Sequence, residues 1–154
     1  YNHLNTGRPV NDDGSTFRQY QSNYVEVSNG PAYPFGYGLS YTQFDYGTMD
    51  IKVNGRSIEA TVKVTNTGNY DAYEVVQCYI HDIACRYARP VKELKGFERI
   101  FLKKGESKTV TIKLNEESLS YYDMEGKRFF EPGEFDIMVG ANSRDVQVKR
   151  VKVL

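Results

Sequence analysis

From Phe44 onward, apolar and polar residues alternate with a period of two, the signature of strands that bury one face. Met49, Ile51 and Val53 alternate with polar neighbours, and Ile58, Ala60, Val62 and Val64 do so again after Asn54-Gly55. Asn-Gly between two such runs predicts a β-hairpin with its turn centred on that pair. A turn around Gly68 precedes a strand over residues 73–80 with two substantial faces, Val76, Cys78 and Ile80 on one and Val75, Gln77 and Tyr79 on the other. One of the two faces is therefore expected to meet a neighbour. Further strands are predicted over residues 97–102, over 107–114 with Val110, Ile112 and Leu114 inward, and over 134–140 with Phe135, Ile137 and Val139 inward. Lys103-Lys104-Gly105 and Glu131-Pro132-Gly133 supply turns. Over residues 146–154 the pattern changes phase, Val146 and Val148 in one register and Val151 and Val153 in the other, which predicts a bulge near Lys149 and Arg150. Lys149, Arg150 and Lys152 are expected to guard an edge strand against pairing with other chains. Residues 115–122 predict no more than one helical turn.

Seven or so short strands separated by turn signals predict an all-β, antiparallel immunoglobulin or fibronectin type III-like β-sandwich with an irregular N-terminal tail. The chain has no tryptophan, so other aromatics must organise its core. Residues 1–43 lack periodicity and are rich in Asn, Asp, Gly, Ser and Pro, yet they carry Tyr1, Phe17, Tyr20, Tyr24, Tyr33, Phe35, Tyr37 and Tyr41. A free linker is poor in such residues. This stretch is expected to be a tail and connector lying against folded protein, with residues 44–154 as the sandwich.

Length and charge narrow the function classes. The 154 residues, 40% of them hydrophobic, suit one domain with one core. Twenty acidic and twenty basic residues balance to a net charge of zero, with no block of like charge to attract nucleic acid or an anionic membrane. No apolar run approaches the roughly 18 residues of a membrane-spanning helix. The chain begins with Tyr1 rather than Met, as a processed or excised chain would.

Candidate chemistry is sparse. Cys78 lies in an apolar strand and Cys85 in a loop, a placement that favours two free thiols over a bridge. His3 and His81 have no second ligand at metal-site spacing. Asn11-Asp12-Asp13-Gly14-Ser15 lacks the alternating ligands and the Glu of a calcium loop, and reads as a polar turn. Gly36-Tyr37-Gly38 lacks the third glycine and the following helix of a phosphate loop. Glu116, Glu117, Asp123 and Glu125 cluster in sequence, but nothing holds a pair of them across a cleft as glycosidic cleavage requires. Thirteen tyrosines raise the possibility of sugar stacking, although strands and domain contacts enrich this residue by themselves. No catalytic residue, cofactor or metal ligand is assigned.

More specific is the run Tyr33-Pro34-Phe35-Gly36-Tyr37-Gly38-Leu39-Ser40-Tyr41-Thr42 followed by Phe44. It resembles the signature with which family 3 glycoside hydrolases enter their C-terminal fibronectin type III-like domain. Thr6-Gly7-Arg8-Pro9 and Tyr24-Val25-Glu26-Val27 are similar to the end of that family's preceding α/β domain. Val64-Thr65-Asn66-Thr67-Gly68, Glu74-Val75-Val76-Gln77, Arg89-Pro90-Val91-Lys92-Glu93-Leu94-Lys95-Gly96-Phe97 and Pro132-Gly133-Glu134-Phe135 follow in the family's order. Cys78 stands where an aliphatic residue is more usual. The resemblance implies a secreted or periplasmic parent of β-glucosidase or β-xylosidase type. Such a parent acts by retaining double displacement, with an Asp nucleophile and a Glu acid/base on domains before this one. It implies that this chain is a non-catalytic accessory domain whose partners are the catalytic domains of the same parent, with Tyr33, Phe35, Tyr37, Leu39 and Tyr41 at the interdomain contact. A carbohydrate-binding module and a protein-interaction domain are the alternatives.

Overall fold

The computed structural model describes residues 31–154. His3, the Asn11–Ser15 turn and the motifs before Pro31 lie outside the described residues.

Two antiparallel sheets face each other across one apolar core. In the first, β1 (Phe44–Tyr46) and β2 (Asp50–Asn54) share one edge of β3 (Ser57–Asn66), and β6 (Ser107–Leu114) occupies the other. The second has the order β10 (Val146–Val153), β9 (Gly133–Gly140), β4 (Ala72–Asp82), β5 (Glu93–Leu102). Between β6 and β9 come the helical turn α1 (Glu116–Leu119), capped by the Asn115 side chain, and a ribbon of β7 (Tyr121–Tyr122) with β8 (Arg128–Phe129). The all-β sandwich expected from the alternation is thus the fold.

Alternation decides which side chains reach the core. Ile58, Ala60, Val62 and Val64 of β3 are buried, as are Val110, Ile112 and Leu114 of β6. Across the gap they meet Val76, Cys78 and Ile80 of β4 and Phe135, Ile137 and Val139 of β9. Each large side chain fully buried here contributes about 1.5–3 kcal/mol through removal from water. The opposite face of β3 and β6 is polar in cross-strand pairs: Lys113 Nζ with Glu59 Oε1 at 3.1 Å, Thr61 with Thr111 at 2.9 Å, Thr65 with Ser107 at 2.8 Å.

Three local expectations need correction. The hairpin turn is centred on Gly55-Arg56, one residue later than predicted, because Asn54 pairs with Ser57. Gly55 takes φ +57°, where only glycine is unstrained, and Ser57 Oγ donates to Asn54 O at 2.9 Å. Val53 consequently lies at the exposed hairpin tip, while Met49 is buried and Ile51 packs against the core.

β10 has no bulge: its register with β9 runs unbroken from Val146↔Gly140 to Val153↔Gly133. The inward positions of its first half are instead polar. Gln147 accepts from Met49 N at 2.9 Å and donates to Gly47 O at 2.6 Å, and Lys149 Nζ donates to Met49 O at 3.2 Å. These side chains satisfy the backbone of the irregular segment between β1 and β2, a requirement of buried peptide groups. Val148 points outward as a result. Arg150 forks onto Asp136 at 2.7 and 3.0 Å on this edge strand.

The bulge lies in β5. Cys78 pairs with Gly96 and Tyr79 with Leu94, so Lys95 is skipped. Gly96 sits where a Cβ would come 2.6 Å from Ile112 Cγ2 of the facing sheet. β5 therefore starts at Glu93, four residues before its predicted beginning, because the extra residue hides the alternation.

Candidate functional site

The connector approaches the outer face of the sheet ordered β10, β9, β4, β5, and glycine and backbone carbonyls make the contact. Tyr37 N donates to Pro34 O at 3.0 Å, closing a turn with Gly36 at φ +77°, the position where a type II turn needs glycine. A Cβ at Gly36 would also fall 2.0 Å from Gln77 Oε1. Gln77 Nε2 donates to Gly36 O at 3.1 Å and to Ala141 O at 2.6 Å. Ser143 N donates to Phe35 O at 2.9 Å, and the Tyr79 hydroxyl lies between Phe35 O, at 3.4 Å, and Gln77 Oε1. The Phe35 ring stands edge-on to Tyr79, centroids 6.4 Å apart, and Tyr33 and Tyr37 pack at 5.3 Å. Of the two faces of β4, it is the one carrying Gln77 and Tyr79 that meets this chain's own connector.

A second anchor holds the end of the connector. Thr42 Oγ1 donates to Asn66 Oδ1 at 2.7 Å, and the Asn66 amide donates to Tyr70 O at 2.8 Å and to Leu102 O at 3.2 Å. Thr67 N and Gly68 N both donate to Gln43 O, at 2.9 and 3.2 Å. Asn66 is fully buried, which requires that each of its polar groups find a partner.

The five residues singled out in sequence do not behave alike. Phe35 lies against Tyr79 of the sandwich and Tyr37 against Tyr33 of the connector, with 40% and 44% of their surface still open. Leu39 and Tyr41 stand 89% and 95% exposed, beside Tyr70 in an open groove of about 430 Å³. Tyr33 is exposed apart from its contact with Tyr37. Gln77, Tyr79 and Asn66 escaped sequence reasoning as contact residues. The available signal was Gln77 and Tyr79 on the second face of β4.

A larger trough of about 570 Å³ lies between the connector and the β9–β10 turn, with Asp45, Glu74, Asp145 and Gln147 among its walls. Tyr46 OH donates to Glu74 Oε1 at 2.7 Å. Burial raises the Glu74 carboxyl above the usual carboxylate range, the tyrosine bond opposing it, and burial raises the Tyr46 phenol as well.

At the far end, Asp82, Arg89 and Glu93 form an ion network under the loop that follows β4. Arg89 Nη1 donates to Asp82 Oδ2 at 2.9 Å and Arg89 Nε to Glu93 Oε1 at 2.9 Å, with the guanidinium 5.1 Å from the Tyr121 ring centroid. The Asp82 and Arg89 side chains are almost wholly enclosed. Burial holds the Asp82 carboxyl above its ordinary range, with Arg89 pulling the other way. Tyr121 OH donates to Glu131 Oε2 at 2.7 Å, and that bond holds Glu131 low.

Three of the four clustered carboxylates, Glu116, Glu117 and Asp123, also have partners. Glu116 pairs with Arg56 and Glu117 with Arg128. Asp123 Oδ1 accepts from Glu125 N and Lys127 N. Among the described residues no three His, Cys, Asp or Glu side chains converge as metal ligands. Cys78 and Cys85 are free thiols.

Comparison with known proteins places this arrangement. Residues 74–143 match the family model of the fibronectin type III-like domain. The chain is 42% identical over 151 residues to the periplasmic β-glucosidase of Salmonella typhimurium, covering 96% of the chain and 20% of that protein. It is 46% identical over 129 residues to a β-xylosidase of Formosa agariphila, covering 80% of the chain and 18% of that protein. The crystal structure of the Listeria innocua β-glucosidase in complex with isofagomine superposes with a TM-score of 0.89 at 42% identity, over 99% of this chain and 22% of that one. The chain thus spans about a fifth of the length of these relatives. It carries a fibronectin type III-like domain of the kind found in the family 3 glycoside hydrolases, the β-glucosidases and β-xylosidases.

Proposed function

We propose that this chain is a non-catalytic accessory sandwich of a larger, secreted or periplasmic family 3 glycoside hydrolase that releases terminal β-linked glucose or xylose with retention. The observation that carries the reading is the likeness over 96% of this chain to only 20% of a β-glucosidase. The ties of Glu116 and Glu117 to arginines and of Asp123 to backbone amides support it, since a retaining enzyme needs two carboxyl groups facing a sugar about 5 Å apart. The 154-residue chain, assayed alone on aryl β-glucosides and β-xylosides, is expected to give no turnover above the buffer blank. Activity that stays with the protein through repurification would overturn the reading.

Tyr33, Phe35, Tyr37, Leu39 and Tyr41 serve in this reading as the contact with the catalytic domains. Phe35 already leans on Tyr79, and the partner domain completes its burial. Phe35→Ala in the full-length protein is expected to cost about 2–4 kcal/mol of stability at that contact. Turnover per folded molecule should stay within about threefold, because no transition-state interaction is removed. Thermal unfolding and active-site titration together check this, and a collapse of turnover at unchanged stability would place the connector in the active site.

A further inference from the structure

The two outer faces of the sandwich differ in kind. That of β3 and β6 is made of Glu–Lys, Thr–Thr and Thr–Ser pairs, the chemistry of a solvated sheet. The outer face of β4 and β5 instead presents Tyr73, Val75, Phe97 and Phe101, which are 52%, 37%, 65% and 42% exposed. Register brings them together: Tyr73 lies opposite Phe101, Val75 opposite Arg99, and Gln77 opposite Phe97. An aromatic strip of this continuity is unusual on a sheet that ends in water.

We infer that this outer face of β4 and β5 seats the catalytic part of the longer protein, as a second contact beside the connector. The inference rests on the accessory-domain reading and adds the surface that the partner covers. Where the chain arrives is the first reason. Pro31 O accepts from Arg144 Nη2, and the carbonyls of Phe35 and Gly36 are bonded to Ser143 and Gln77. The connector therefore comes in over this same sheet, and Gln77, which it touches, is the register partner of Phe97. The relatives supply the second reason, since about four fifths of their length lies beyond the region matched here. A flat sugar platform fits poorly. The Tyr73 and Phe101 rings are tilted by 58° to one another, and the Arg99 guanidinium already stacks 3.5 Å over the Tyr73 ring. An irregular surface of tilted rings and one stacked cation suits a protein partner, where aromatic residues and Arg concentrate.

Hydroxyl-radical footprinting tests the inference by reading side-chain access in the 154-residue chain and in the full-length protein that contains it. Tyr73, Phe97 and Phe101 are expected to be modified several-fold less in the full-length protein. Met124 and Tyr122, exposed at the far end of the sandwich, should be labelled equally in both. Equal labelling of the strip in both proteins overturns the inference. If Tyr37 is protected in the full-length protein while the strip is not, the accessory reading stands and the second contact falls. Protection that already appears in the 154-residue chain and grows with its concentration would assign the strip to a second copy. Protection of that chain by added soluble β-glucan would assign it to glycan. Both of those results also overturn the inference.

Discussion

Replacing Arg89 with Met is expected to destabilise the sandwich by about 3–5 kcal/mol, the usual effect of removing one partner from a buried ion pair. The stem of Met fills much of the same space, so the loss is electrostatic. Asp82, 2% exposed at its side chain, is left charged with no counter-ion in a site that already penalises its charge. The double variant D82L/R89M should recover a large part of the loss, because it removes the orphaned carboxylate as well. The pH dependence has a definite sign. Burial raises the Asp82 carboxyl above its unfolded value even with Arg89 present, and without Arg89 it rises further. A carboxyl raised in the folded state favours folding below its unfolded pKa and loses that contribution as pH climbs through the folded pKa. The penalty of R89M should therefore shrink between about pH 7 and about pH 4. Urea titrations of both proteins at the two pH values measure it. An equal gap at both would mean that an unpaired carboxylate is not the cause.

Asn66→Ala is expected to cost about 2–4 kcal/mol, since it orphans several buried polar groups that each carry a penalty of about 1–3 kcal/mol. Leu102 O loses its amide donor, and the Thr42 hydroxyl loses its acceptor. The damage should spread to the connector, because Thr42 is held through Asn66 while Gln43 is held by Thr67 and Gly68 just beyond it. Denaturant melts give the free energy, and hydrogen exchange at the Thr67 and Gly68 amides reports the loosening. A loss below about 1 kcal/mol, within the range of an ordinary surface substitution, would show that the pocket rebuilds itself around water.

These two residues also mark what the chain's pattern conceals. Val110, Ile112 and Leu114 are legible because strict alternation on a regular strand leaves one arrangement, and the structure buries all three. The beginning of β5 is not legible, because skipping Lys95 exchanges the faces on either side of it. The change of phase in β10 is visible, but its cause is not. A bulge and a set of inward polar side chains give the same string of letters, and only the carbonyls of Gly47 and Met49, about a hundred residues away in sequence, separate the two. Likewise Arg89 and Asp82 read as ordinary charges until the loop closes over them. The connector's composition predicts apolar surface too rich for a linker but not how that surface divides: Phe35 lies within the Pro34–Tyr37 turn with its carbonyl bonded to Ser143 N, and leans on Tyr79, while Leu39 and Tyr41 stand exposed.

Cys78 gives the molecule a built-in clock. Its thiol has no exposed surface, and burial pushes its pKa up to about 12, so the reactive thiolate is both hidden and scarce. Oxidants and alkylating reagents can reach it only when the two sheets part, whereas Cys85, in the loop beyond β4, is partly open. The ratio of the two labelling rates therefore separates opening of the core from local motion of the loop. In an oxidising compartment, the interval before Cys78 is modified measures how long the sandwich stays shut.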